Sequence, residues 1–158
     1  MDEYRHTQAG TVVLVVLAVS VVVGVAILLW AAPGQRGTFS VLVVPLAITT
    51  LFHSLTVRIR DGALRVAFGP GLIGFKVRLA DIEGCEPVTN PWWYGWGIHR
   101  TPRGWLHNVS GNRAVELRLT NGKLLRIGTD EPEKLCAAIA QAKERLRTPQ
   151  PGGITPRP

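Results

Sequence analysis

Thr11–Trp30, TVVLVVLAVSVVVGVAILLW, is a run of twenty residues without a single charge, fourteen of them Val, Leu or Ile. Coiled as a helix it measures about 30 Å, the thickness of a bilayer's hydrocarbon core. Valine favours strand in water, but strands rarely exceed roughly ten residues. The run is therefore expected to be a membrane-spanning helix. A cleaved signal peptide is the competing reading. Against it, the run is longer than the usual apolar core of a leader, and Asp2 and Glu3 beside Arg5 make a poor basic lead-in.

A breaker segment, AAPGQRG at 31–37, separates this run from a second one, FSVLVVPLAITTLFHSL, which contains Pro45, Thr49, Thr50 and His53. Proline is tolerated in a spanning helix when a neighbour or a threonine hydroxyl satisfies the freed carbonyl. The expected unit is a two-helix transmembrane hairpin over 11–55, with spans at 11–30 and 38–55. A re-entrant or interfacial second segment is the alternative. Basic residues set the orientation. The loop has only Arg36, whereas Arg58, Arg60 and Arg65 follow the second span. This places the protein in the plasma membrane as a multi-pass protein with its soluble domain facing the cytoplasm. Reduced cysteines suit that side, although a bridge between Cys85 and Cys136 is left open. The sequon Asn108-Val109-Ser110 reads as chance.

The net charge of +7 is unevenly distributed: residues 54–158 carry sixteen bases and nine acids, and the first 53 residues are neutral. Anionic partners follow from this. From Leu55 the periodicity becomes two: Leu55, Val57 and Ile59 alternate with Thr56, Arg58 and Arg60. Asp61-Gly62 and Asn121-Gly122 are hairpin turns. Further alternating runs occur at 64–68, 75–79 and 115–119, and short strands are expected at 82–88 and 123–128. Asp130-x-x-Glu133 matches a capping box with Pro132 in the first turn, and Leu135, Ala138, Ile139, Ala142 and Leu146 form an apolar helical stripe. The expected fold is α+β: a polar lead at 1–10, the hairpin, and then, over 56–147, an antiparallel barrel or sandwich of about seven strands capped by one C-terminal helix. A Pro- and Gly-rich tail at 148–158 reads as disordered.

Strands in this order, closed by one helix, resemble the pleckstrin-homology-like (PH-like) fold. The segments NPWWYGWGIHRTPRGW and NVSGNRAVELRLTNGKLLRIGTDEPEKL are similar to bacterial PH-domain-containing membrane proteins, in which a helical hairpin precedes a PH-like domain. The resemblance covers roughly residues 10–147. It implies a fold and a membrane location and no activity. Phosphoinositide binding is not carried over, because no headgroup site matches residue by residue.

Two features are candidate binding sites. Trp92, Trp93, Trp96 and Trp105 fall within fourteen residues, with Arg100 and Arg103 interleaved. Indoles suit interfaces, and arginine binds phosphate or stacks on rings. The alternative is that these rings fill the core. Arg58, Arg60, Arg65, Lys76 and Arg78 form a basic, membrane-facing patch on the polar phase of three strands, or simply a solvated face. No catalytic residue is expected. His53, His99 and His107 have no metal-ligand spacing with either cysteine. Asp81, Glu83 and Glu86 read as solvated carboxylates, and no phosphate loop or nucleophile elbow occurs. No cofactor or metal is called for, and nucleic acid is an unfavoured partner. The chain reads as a membrane-anchored, non-enzymatic adaptor for a protein or acidic peptide, with an anionic-lipid sensor as the alternative.

Overall fold

The computed structural model describes residues 3–30 and 38–148. The expected loop at 31–37, with Arg36, and the tail from 149 onward lie outside the described residues. The elements run β1 (Tyr4–Ala9), α1 (Thr11–Trp30), α2 (Thr38–Phe52), β2 (Ser54–Arg60), β3 (Ala63–Phe68), β4 (Ile73–Arg78), β5 (Ile82–Thr89), β6 (Gly97–Thr101), β7 (Gly104–Asn108), β8 (Arg113–Leu119), β9 (Leu124–Gly128) and α3 (Pro132–Arg147).

The strands form two open sheets and no barrel, which corrects the expected single barrel or sandwich of about seven strands. One has the order β1-β2-β3-β4 and the other β5-β8-β9-β7-β6. Nine strands are present among the described residues, against the seven or so expected. Two sources account for the excess. The polar lead contributes β1, which pairs with β2 from Tyr4↔Ile59 to Ala9↔Ser54. The aromatic segment contributes the hairpin β6–β7, whose second strand runs parallel to β9. Both expected tight turns occur, and Asp61 and Gly62 have φ of 52° and 68°, as a hairpin turn with two left-handed residues needs.

The sheets enclose one core. Leu55, Val57, Ile59, Leu64, Val66 and Phe68 meet Val115, Leu117, Leu125 and Ile127. Helix α3 closes it with Leu135, Ile139 and Ala142, all buried, while Leu146 at the end of the stripe stays exposed. The expected capping box does not form. The helix starts at Pro132 without a side-chain cap, because both acids are engaged elsewhere: Asp130 Oδ1 lies 2.6 Å from His6 Nε2, and both Glu133 oxygens accept from Arg113 at 2.7 Å. A Cys85–Cys136 disulfide links α3 to β5 across 51 residues. Closing a loop of that length stabilises by about 4 kcal/mol on the chain-entropy account. Surface pairs contribute about 0–1 kcal/mol each, so the disulfide outweighs any single ion pair of α3. It also overturns the expectation of reduced cysteines.

Among the described residues no helix is long and apolar enough to cross a membrane. Helix α2 has 15 residues interrupted by Pro45, about 22 Å, where a bilayer core needs about 30 Å. The expected transmembrane hairpin, the integral two-span membrane partnership and the multi-pass, cytoplasm-facing placement therefore fall. Helices α1 and α2 pack against each other and leave apolar side chains exposed, among them Val15, Val19, Val22, Val44 and Ile48.

The helix pair joins the first sheet at Gly10, whose N–H donates to the His53 carbonyl at 2.7 Å. A Cβ here would lie 2.8 Å from the Phe52 oxygen. Gly69, with φ of 47°, approaches the same helix end from the other side, 2.6 Å from the Thr50 and Leu51 oxygens on the same construction. Above this junction an aromatic column joins the layers: Phe52 stacks edge-on against Phe68 at 5.4 Å, and His107 of the second sheet lies 4.3 Å from the Phe75 ring.

Two predictions follow from this packing. Gly10→Ala forces backbone apart at the junction and should destabilise by about 1–3 kcal/mol in urea unfolding; an unchanged midpoint would refute the close approach. Burial, followed by the charge of His99, pushes the His107 pKa from 6.5 down to about 4. The unfolded chain therefore takes up this proton first as pH falls, so stability is full above pH 6.5 and is lost from there down to about 4. His107→Phe should flatten that limb of a stability–pH curve.

Candidate functional site: a ladder of cations on the first sheet

Apolar residues of β2 and β3 point to the core, so the alternate positions face outward. Strand register then sets the cations side by side. Arg5 of β1 is opposite Arg58 of β2, Arg58 is opposite Arg65 of β3, and Arg65 is opposite Lys76 of β4. One cation comes from each strand of the sheet, and all four are exposed. Neighbouring strands lie about 4.8 Å apart, so the row spans about 14 Å. Among the described residues none of the four takes part in an ion pair. Like charges directly opposite each other in a sheet are destabilising by a few tenths to about 1 kcal/mol per pair.

The five expected basic residues thus divide. Arg58, Arg65 and Lys76 belong to the row. Arg60 and Arg78 lie one rung further along, where Ala63 separates them, and each is neutralised. Arg60 Nε is 3.2 Å from Asp61, and Arg78 donates to both Asp81 oxygens at 2.8 and 2.9 Å. That hydrogen bond, and then the Asp81 charge, raises the Arg78 pKa. Arg5 is the member that sequence reasoning missed. Half-buried Tyr4, His6 and Gln8 alternate with exposed Arg5, Thr7 and Ala9, without the aliphatic alternation that marks β2 and β3.

The tryptophan segment is a separate feature. Trp92 and Trp93 sit in a short 3-10 turn, 75 % and 69 % exposed, with their rings edge-to-face at 6.1 Å. The turn is held by a buried ion pair on the outer side of the second sheet. Arg126, between core-facing Leu125 and Ile127, binds Glu116 through Nε at 2.7 Å and through Nη2 at 2.6 Å. Its Nη1 donates to Asn90 Oδ1 at 2.7 Å, and its guanidinium lies 5.9 Å from the Tyr94 ring centroid. Trp96 turns instead toward the helix pair and lines an apolar groove of about 250 Å³ with Val13, Val16, Pro45 and Ile48. Trp105 pairs across the β6–β7 hairpin with Arg100, and both are exposed. Arg103 is exposed in the turn between those strands, where its N–H donates to Thr101 Oγ1. The six aromatic-segment candidates are therefore spread over three places: the 3-10 turn, the helix groove and the hairpin.

Two cavities of about 520 and 330 Å³ flank Lys143 between α3 and β5. Glu83, Lys143 and Arg147 line both, so opposite charges face each other there and no single sign of ligand is favoured. Among the described residues no group of His, Cys, Asp or Glu has the geometry to hold a metal ion. Asn108 of the sequon is 1 % exposed, and its amide group bonds Gly111 and Ser110. Neither a family model nor a curated protein matches the chain.

Removing Arg126 alone leaves Glu116 buried and uncompensated. Arg126→Met should cost about 3–5 kcal/mol in urea unfolding, whereas Arg126→Met with Glu116→Leu should recover most of the loss. Equal losses in the single and double variants would show that the pair is not what holds this turn.

Proposed function

We propose that the protein is a non-enzymatic binding module that holds an acidic protein segment against the outer face of its first sheet. The observation that carries this reading is the row Arg5–Arg58–Arg65–Lys76: four exposed, adjacent cations, none of them in an ion pair among the described residues. A solvated face built for stability alternates signs across its strands. This one retains a repulsion that an anionic partner relieves. The neighbouring rung, Arg60 and Arg78, has its acids, which marks the row as distinct. Each exposed contact contributes about 0.2–1 kcal/mol, so the affinity is modest and falls with salt.

A second reading, docking to an anionic lipid surface, is favoured by the exposed apolar side chains of α1 and α2 and by the exposed Trp92 and Trp93. Docking of this kind proceeds from one side and asks for no crossing helix.

The two properties of the row give one test. Arg65→Thr should raise the unfolding free energy by about 0.5 kcal/mol at low salt, the gain shrinking at about 1 M salt. The same substitution should weaken binding of poly-glutamate to the full chain. A variant that loses stability and binds poly-glutamate unchanged would sink the proposal. Flotation with anionic but not neutral vesicles, together with indifference to poly-glutamate, would select the lipid reading.

A further inference from the structure

We infer that the acidic segment is helical and lies across the strands, along the cation row, with one carboxylate per helical turn on a single face. This inference rests on the acidic-segment reading above and concerns the shape of the partner. The row runs perpendicular to the strands, because its members are register partners: Arg5 with Arg58, Arg58 with Arg65, and Arg65 with Lys76. Its repeat is the inter-strand spacing, about 4.8 Å. An acidic residue at every third or fourth position of a helix repeats at about 5.4 Å. An extended peptide presents one face at every second residue, about 6.7 Å apart.

Over the three intervals of the row the cations span about 14 Å, the helical stripe about 16 Å and the extended stripe about 20 Å. Arginine and lysine side chains splay apart under their own repulsion, which moves the charged groups toward the helical repeat. The extended repeat leaves the last carboxylate a full rung beyond Lys76. A strand laid the other way, along β2, meets Arg58 and Arg60 only, and Arg60 already has Asp61 at 3.2 Å. The neighbouring outward row, Thr7, Thr56, Ala67 and Gly74, is uncharged and low. It gives a helix body room beside the cations, and Thr7 and Thr56 are already hydrogen-bonded to each other at 2.9 Å.

The experiment compares short alanine-based peptides of equal length and charge by fluorescence anisotropy against the full chain. The first carries its glutamates at three- and four-residue spacing on one face. The second spreads them around the helix, and the third is the first with prolines breaking the helix. The one-face peptide should bind at least roughly tenfold more tightly than the other two, a difference of about 1.4 kcal/mol. Arg65→Glu should abolish that preference, and the milder Arg65→Thr should reduce it if Arg65→Glu fails to fold. Equal binding of all three peptides, lost in the Arg65 variants, would overturn the helical partner and leave the acidic-segment reading standing. No binding of any peptide, with binding to anionic vesicles instead, would overturn both.

Discussion

At Gly10 the first strand passes close enough to the end of α2 for its N–H to bond the His53 carbonyl at 2.7 Å. Only a residue without a side chain allows this, because a Cβ would sit 2.8 Å from the Phe52 oxygen. The contact locks two things at once. It seats the start of α1 beside the end of α2, and it starts the β1–β2 ladder at Ala9↔Ser54. A slip of one residue in that ladder would turn Arg5 inward and Tyr4 outward. The outer face would lose its fourth cation, and the core edge would gain a charge. Tyr4 is already set deep enough that burial, and then the charges of Glu131 and Asp130, push its hydroxyl pKa up to about 12. The composition of the cation row therefore depends on a backbone contact several residues away.

The second sheet uses charge in the opposite manner. Arg126 and Glu116 are removed from water and paired, with Asn90 and Tyr94 completing the surroundings of the guanidinium. A buried pair of this kind is weak evidence for stability in itself. What it adds here is direction: Asn90 and Tyr94 bracket the turn that displays Trp92 and Trp93. One sheet thus carries unpaired cations in water, and the other carries a paired cation beneath exposed indoles.

Much of the sheet architecture was legible because β2, β3, β8 and β9 have aliphatic alternation and Asp-Gly or Asn-Gly turns, the strongest local signals available. Strand β1 lacked both. Its inward residues are Tyr4, His6 and Gln8, all half-buried: Tyr4 packs at the core's edge, His6 bonds Asp130 ahead of α3 and Gln8 bonds Ser110 between β7 and β8, so no aliphatic alternation marks the strand. Without β1 the cations of β2, β3 and β4 were visible as a patch but not as a row, because cross-strand register is a tertiary property. The hairpin β6–β7 was hidden by the mixed character of its two five-residue strands, GIHRT and GWLHN, and by a parallel pairing to β9 that no local pattern encodes. The capping box failed for a related reason: His6 and Arg113, remote in sequence, claim Asp130 and Glu133. The valine-rich run was correctly read as helix, but helix length and purity at 11–55 were taken for membrane spans, and no described helix meets that requirement.

The pairing of β1 with β2 also orders events in time. The residues that lead the chain, Tyr4–Ala9, find their partner only after both helices have been made, since Ala9 meets Ser54 and Tyr4 meets Ile59. During synthesis β1 is an unpaired strand waiting on a long loop, and the first sheet closes late, at a high contact order for its small size. The remaining strands of that sheet are joined by tight hairpins and form locally. A ribosome-bound chain halted before residue 60 therefore carries Arg5 without its complete partner strand, and one halted before residue 76 carries it without the complete row.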